Sequence, residues 1–414
     1  MVRGKRWVAC FLGCWAWLGP AGWFPQAAAQ RPVEQVGGER DLDGLIRAML
    51  ATHPEALAMG REAERMRAQV TERTRWAPTS AKGYYLPQSD IGDRYHEWEV
   101  SQSGWMPGGG RIRTELREAT VQGSEAEVRV YLQAFAVQTW DQAILAWGVQ
   151  RQWEQAQERL AGARRWAQWY ADRAEAGLET RPVATAAAFQ EAQASLEVDR
   201  LAAAWERSMS ALRSLGGAAY ADWEQVELPE RSWADGPLPL PDSAAAWSQV
   251  DARWEAAAFA LRTAEHERDW QQRASLPQWE LGWNQQGVPG AMYRGAMAGV
   301  VVPLAGRKAG VEQATIAQLQ AQDRWEATRR ALVDGRQRDL RAYETLRAMR
   351  HELARQLDAD DTEETLDAAL RAGSISFPAF WTALEARRSL EDALIQLDVD
   401  LLQLQGQILQ HMFP

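Results

Sequence analysis

Two hydrophobic periods alternate along the chain. Trp279, Leu281 and Trp283 alternate with Gln278, Glu280, Gly282 and Asn284, the two-residue period of a strand with one apolar face. A turn at Gly287-Val288-Pro289-Gly290 follows, and then 292–302, a segment rich in β-branched and small residues. Earlier, over 95–105, Trp98 and Val100 alternate with Glu97, Glu99 and Ser101, and a more weakly patterned partner lies at 82–86. After each strand pair the period lengthens. No proline occurs between Gly108 and Arg181, or between Leu304 and Phe377, and both stretches are rich in Ala, Arg, Glu, Gln and Leu, all good helix formers. A helix over 111–177 would rise about 100 Å at about 1.5 Å per residue. That exceeds what a globular helix needs and implies a coiled-coil or helical-barrel setting. Gly177 and Gly373 fall where a helix ends in the left-handed region, with Pro182 and Pro378 ready to open a returning helix. The second returning helix carries Ala383, Ala386, Leu390, Leu394, Leu397, Leu401, Leu404 and Ile408, spaced 3-4-4-3-4-3-4, nearly a heptad seam. The first answers with Val198, Leu201, Trp205, Ser208, Leu212 and Leu215. Neither seam buries itself, so neighbouring helices must cover it.

The chain repeats itself. Pro107, Gly110, Arg111, Gly177 and Pro182 recur as Pro303, Gly306, Arg307, Gly373 and Pro378, always at an offset of 196, and Pro78 answers Pro277 at an offset of 199. Shared landmarks in one register identify a tandem duplication. The expected units are 30–215 and 242–414, joined by a Pro-rich linker over 216–241. The fold class expected is mainly α with a small β part.

Composition narrows the setting. Arg3, Lys5 and Arg6 precede a short apolar run over 7–18, and Ala27-Ala28-Ala29 offers a small-residue cleavage site. This is the pattern of a secretory signal peptide over 1–29. The lipoprotein alternative needs Cys14 as the acylated residue, but Phe11-Leu12-Gly13 is a poor match for the tripeptide before it. Both cysteines, Cys10 and Cys14, leave with the leader, so the mature chain suits an oxidising compartment without disulfides. Removing three basic and no acidic residues takes the net charge from −10 to −13, which argues against nucleic acid as a partner.

Catalytic chemistry is not written here. Gly108-Gly109-Gly110 lacks the Lys-Ser/Thr of a phosphate loop. His53, His96, His266, His351 and His411 lie far apart, without a second ligand at metal spacing. No nucleophile is matched to a base. We expect no enzyme activity, no cofactor and no metal. The 22 Trp suit interfacial belts on the strands and knobs along the helices. Four strands with Trp98, Trp279 and Trp283 on one face have the look of outer-membrane barrel strands. Alone they cannot close, because an open edge in lipid leaves backbone groups unpaired. Several copies would have to contribute, and three would supply twelve strands around a lumen.

At this point the chain resembles the TolC-type outer-membrane efflux channels over nearly its whole mature length. The resemblance rests on Leu45-Ile46-Arg47-Ala48-Met49-Leu50-Ala51-Thr52-His53-Pro54-Glu55, on Val100-Ser101-Gln102 with Pro107 and Gly110-Arg111, and on two tip segments. These are Arg173-Ala174-Glu175-Ala176-Gly177-Leu178-Glu179-Thr180 and Arg371-Ala372-Gly373-Ser374-Ile375-Ser376. The junction Trp105-Met106-Pro107-Gly108-Gly109-Gly110-Arg111 is closer to the heavy-metal, CzcC-like subgroup than to the drug-export one. The resemblance implies a homotrimer in the outer membrane of a Gram-negative bacterium, with most of each chain in the periplasm. Its twelve-stranded β-barrel would continue into a tunnel of twelve helices. It also implies a periplasmic adaptor (membrane fusion) protein and an inner-membrane pump of the resistance-nodulation-division type as partners. Such a channel is a passive duct for small molecules or metal ions, or for protein in type I secretion. Adaptor contacts would fall on Gly177, Leu178, Thr180, Gly373, Ser374 and Ser376. One departure concerns the acidic ring that follows the second tip in well-known members. Here Phe377-Pro378-Ala379-Phe380-Trp381 stands in its place, and the acids precede the tip as Asp358, Asp360, Asp361, Glu363, Glu364 and Asp367. Phe377, Phe380 and Trp381 share one helix face. They form either an aromatic gate at the tunnel entrance or packing against a neighbouring helix. The alternative to a channel is a soluble periplasmic scaffold or adaptor built from helical hairpins.

Overall fold

The structure, a computed structural model, describes residues 42–73, 79–86, 95–105, 108–221, 223–224, 226, 251–288, 291–302, 307–358 and 362–410. The expected signal peptide, the linker from 227 onward, Pro78, Pro107, Pro303, Gly306, the turn at Pro289-Gly290, and Asp360, Asp361 and His411 lie outside the described residues.

In chain order the elements are α1 (Leu42–Thr52), α2 (Pro54–Arg73), β1 (Ser80–Leu86), β2 (Tyr95–Trp105), α3 (Gly109–Glu175) and α4 (Arg181–Gly216). They continue with α5 (Ala252–Ala274), β3 (Gln278–Val288), β4 (Ala291–Val301), α6 (Arg307–Asp358), α7 (Thr362–Arg371) and α8 (Phe377–Ile408). The uninterrupted helix expected over 111–177 is α3, 67 residues long. Its counterpart in the second half is described in two pieces, α6 and α7, with 359–361 between them outside the described residues. Two compact units emerge, 59–130 with 241–333, and 1–58 with 131–240 and 334–414. They cut across the two sequence repeats, since each unit draws elements from both.

The first of these units holds the sheet. Its strands run antiparallel in the order β1-β2-β3-β4, so the hairpin of one half pairs with the hairpin of the other through β2 and β3. Register decides what each face carries. Trp98 faces Gln285 and Val100 faces Trp283 across β2 and β3, while Trp279, Leu281 and Trp283 face Val300, Ala298 and Ala296 on β4. The opposite face carries three polar pairings, beside Tyr84, Tyr293, Met297 and Val301. Ser80 and Ser101 share a 2.7 Å hydrogen bond, Lys82 lies 3.5 Å from the Glu99 carboxylate, and Asn284 donates to Glu97 at 2.8 Å. Where β2 gives way to α3 the backbone needs glycine. Gly104 and Gly108 have φ of 83° and 74°, and a Cβ at Gly108 would stand 2.4 Å from the Arg273 guanidinium. Buried Arg113 fixes this junction, its guanidinium 5.2 Å from the Trp270 ring centroid and donating to the Gly104 carbonyl at 3.5 Å.

The other unit is helical. Leu42, Leu45 and Ile46 of α1 are buried with Trp140 and Ile144 of α3 and with Trp205, Met209 and Leu212 of α4. The opening of the expected linker is packed as well. Gly217–Tyr220 forms a 3-10 turn, Tyr220, Trp223 and Val226 enter this core, and Arg213 donates to the Trp223 carbonyl at 2.9 Å. Helices α3 and α8 approach through two glycines. A Cβ at Gly148 would stand 2.5 Å from Val399, and one at Gly406 would stand 2.4 Å from Trp140. That contact lets Trp140 Nε1 donate to the Leu402 carbonyl at 2.8 Å. Buried Arg336 of α6 donates to the Gln407 and Ile408 carbonyls at 2.6 and 2.8 Å, satisfying the last turn of α8.

The seam expected on α8 needs correction. Of its members Leu401 and Ile408 are buried, but Leu390 is exposed, and the inward face runs through Phe380, Leu384, Ile395, Val399, Leu402 and Gly406. Glycine sets the closest approach and carries no apolar signal, so a Leu-led period selected the neighbouring strip. On α4 the expected seam holds at Trp205 and Leu212, joined by Met209.

Candidate functional site

Each tip is a helix end built around one glycine. In the first, Gly177 has φ 73°, its N–H donates to the Ala174 carbonyl at 3.2 Å, and the Leu178 N–H donates to the Arg173 carbonyl at 2.8 Å. In the second, Gly373 has φ 71°, its N–H donates to the Leu370 carbonyl at 3.0 Å, and the Ser374 N–H donates to the Ala369 carbonyl at 2.9 Å. Both are Schellman motifs, which satisfy the orphan carbonyls of a helix end and favour glycine at the left-handed position. Nothing lies within 4 Å of a Cβ placed at either glycine, so both turns open outward. The returning helices start differently. Ser376 accepts from the Ala379 N–H at 3.4 Å, while Thr180 makes no side-chain cap and its N–H donates to the Glu179 carboxylate at 3.0 Å. The following residues differ too: Leu178 is an exposed apolar side chain, whereas Ser374 Oγ donates to the Ala369 carbonyl at 2.8 Å.

Behind the tips lies an aromatic cluster. Phe377, Phe380 and Trp381 are buried, Phe380 to 1% exposure. Phe377 meets Tyr170 edge-on at 4.7 Å between centroids, and Phe380 meets Trp166 at 5.3 Å. Arg388 sits 5.0 Å from the Trp381 ring and Arg173 4.5 Å from the Trp169 ring. Burial, with the Glu179 charge adding to it, pushes the Tyr170 phenol pKa upward. Within this chain Phe377, Phe380 and Trp381 pack against Tyr170, Trp166 and Arg388, the arrangement that the packing reading of these residues calls for. The partners Trp166, Trp169 and Tyr170 were missed, although their 3-1 spacing on α3 places them on one helix face. Among the acids before the second tip, Asp367 pairs with Arg371 at 2.7 Å, and Asp358 and Glu364 are exposed. Among the described residues no group of three or more His, Cys, Asp or Glu is placed to hold a metal ion.

The sheet is the other candidate surface. Trp98, Trp279 and Trp283 share its apolar face and are 59%, 45% and 50% exposed. No described helix is long and apolar enough to cross a membrane.

Long helical hairpins with a four-stranded antiparallel sheet are the fold of the TolC-type outer-membrane channels. CusC, known in conformations that accompany folding and transmembrane channel formation, superposes with a TM-score of 0.76 at 14% identity, covering 95% of this chain and 97% of its own. A membrane protein from Pseudomonas aeruginosa gives 0.75 at 17% identity, over 90% of each chain. The outer membrane protein VceC from Vibrio cholerae gives 0.71 at 14% identity, over 90% of this chain and 95% of that one. No protein-family model matches the sequence, and no curated protein matches it.

Proposed function

We propose that this chain is one subunit of a homotrimeric outer-membrane exit duct, a passive channel that an inner-membrane pump and a periplasmic adaptor supply with small molecules or metal ions. The observation that carries the reading is the sheet: an apolar-rich face bearing exposed Trp98, Trp279 and Trp283, a more polar face bearing Ser101, Lys82, Glu99, Glu97 and Asn284, and edges at β1 and β4. A sheet of this kind gains stability when its apolar face meets lipid and its edges meet further strands. Three copies would bring twelve strands, enough for an aqueous lumen lined by the polar face. Equivalent positions of the two strand pairs and the two tips support the tandem duplication of 30–215 and 242–414. The reading places the chain in the outer membrane of a Gram-negative bacterium, after removal of the leader over 1–29.

The tips serve this reading as the adaptor-docking surface. Gly177, Leu178 and Thr180, with Gly373, Ser374 and Ser376, ring two turns with open space before them. Gly177→Trp or Gly373→Trp is expected to abolish export while trimers still reach the outer membrane. Full export by both variants would remove docking from the tips. Cell fractionation tests the channel itself. Recovery in the detergent-extracted outer membrane is expected, and recovery in the soluble periplasm would assign the chain to a periplasmic scaffold instead.

A further inference from the structure

The apolar-rich face of the sheet carries a cation. Arg294 of β4 lies directly across from Gln285 of β3, Gln285 across from Trp98 of β2, and Trp98 across from Gly83 of β1. These positions form one row over the four strands, on the face of Trp279 and Trp283. From that row toward the helices the pairs on β3 and β4 are Trp283 with Ala296, Leu281 with Ala298 and Trp279 with Val300, apolar throughout. All four strands join their helices at that end, because β1 and β3 follow α2 and α5 while β2 and β4 lead into α3 and α6. A lipid-facing arginine is costly at the bilayer midplane and nearly free at headgroup depth. In the assembly proposed above Arg294 therefore stands at the headgroups of the leaflet remote from the helices, the outer one.

The side chains reach the same way. Arg294 Nη2 and Gln285 Nε2 both donate to the Met292 sulfur, at 3.1 and 3.5 Å, and Met292 lies two residues nearer the hairpin end than Arg294. A thioether is a weak acceptor, so two strong donors converge where the chain supplies no oxygen. Among the described residues no carboxylate pairs with Arg294. Elsewhere in the row Trp98 lies flat over Gly83, where a Cβ would stand 3.0 Å from the ring, and it stays 59% exposed. A flat, open indole at headgroup depth offers a sugar ring a platform. Strands β2 and β4 stand about 10 Å apart, a width that two linked sugars span and a phosphoglycerol does not.

We propose that Trp98, Gln285 and Arg294 form a site for the phosphorylated disaccharide headgroup of an outer-leaflet glycolipid. The Arg294 guanidinium takes a phosphate in place of the Met292 sulfur, as a charge-assisted pair. Gln285 donates beside it, and a sugar ring rests on Trp98. The inference rests on the outer-membrane reading and adds which lipid the sheet holds there.

Native mass spectrometry of the delipidated oligomer in detergent tests it, with diphosphoryl lipid A as the probe. The unmodified chain is expected to bind the probe, and Arg294→Gln to bind it about tenfold more weakly. Trp98→Leu should weaken it too, whereas Lys82→Gln, on the more polar face, should bind as the unmodified chain does. Equal binding by Arg294→Gln, or an equal loss in Lys82→Gln, would overturn the site. The probe alone gives a second measure that needs no variant: the unmodified chain should lose affinity when both phosphates are removed from the lipid, and an unchanged affinity would overturn the proposal. Equally tight binding of phosphatidylglycerol, or displacement of the lipid by inorganic phosphate, would overturn the glycolipid assignment. Current steps in a planar bilayer, read on the same preparation, keep the two readings apart. Steps without lipid discrimination would remove the site and leave the channel standing, and recovery of the chain in the soluble periplasm would remove both.

Discussion

Gly373 and Gly406 resist side chains for different reasons. At Gly373 there is room but φ is 71°, so Gly373→Ala should cost only the left-handed conformation, about 1–2 kcal/mol. At Gly406 a Cβ would stand 2.4 Å from Trp140. Gly406→Ala should therefore force α3 and α8 apart and weaken the Trp140 hydrogen bond, about 2–4 kcal/mol together. Thermal melting of the two variants ranks them, and an equal loss would refute the distinction. Phe377→Ala with Phe380→Ala should lower the melting temperature markedly, at about 3–5 kcal/mol per ring, and leave conductance unchanged. Asp141 supplies a pH dependence. Burial, opposed by a hydrogen bond from Gln407, pushes its carboxyl pKa up to about 6. The folded chain thus holds a proton that the unfolded chain releases near pH 4. Stability from this group is complete below about pH 4 and declines as pH rises to about 6. Asp141→Asn should remove that slope, and identical melting-against-pH curves would contradict it. The sequence showed the tip glycines plainly, because helix ends are punctuated by Gly and Pro. It could not place Phe377, Phe380 and Trp381, because periodicity gives a helix face and not the neighbour that face meets.

Among the elements, β2 and β3 were legible because alternation is a local signal, and β4 because β-branched and small residues follow a turn. The pattern at 82–86 was faint, since Lys82, Gly83, Tyr84 and Tyr85 alternate poorly, and only pairing with β2 reveals β1 over Ser80–Leu86. The length of α3 followed from the absence of proline. The inward face of α8 did not, because Gly148 and Gly406 create its contact. If the apolar sheet face meets lipid, a charge there must be costly. Trp283→Lys should destabilise the inserted state by about 2–4 kcal/mol if the site lies near the bilayer midplane. It should lower the share of chain that runs as an oligomer in gel mobility of the outer-membrane fraction. A lysine at Gln286, on the polar face, should leave mobility unchanged, and equal effects would mean that the two faces do not meet different media.

For the whole molecule, neither compact unit coincides with a sequence repeat. The duplication could be read along the chain from its landmarks, but the division into units depends on pairing between distant elements, such as β2 with β3. The proposed duct has no moving chemistry to assay, so its central claim is a water-filled path made by several copies. Purified chain reconstituted into a planar lipid bilayer measures that directly. Discrete current steps of one size are expected, each requiring an assembled oligomer, and persisting in the Phe377→Ala, Phe380→Ala variant. A bilayer that stays silent while the chain is shown to be inserted and oligomeric would contradict the account.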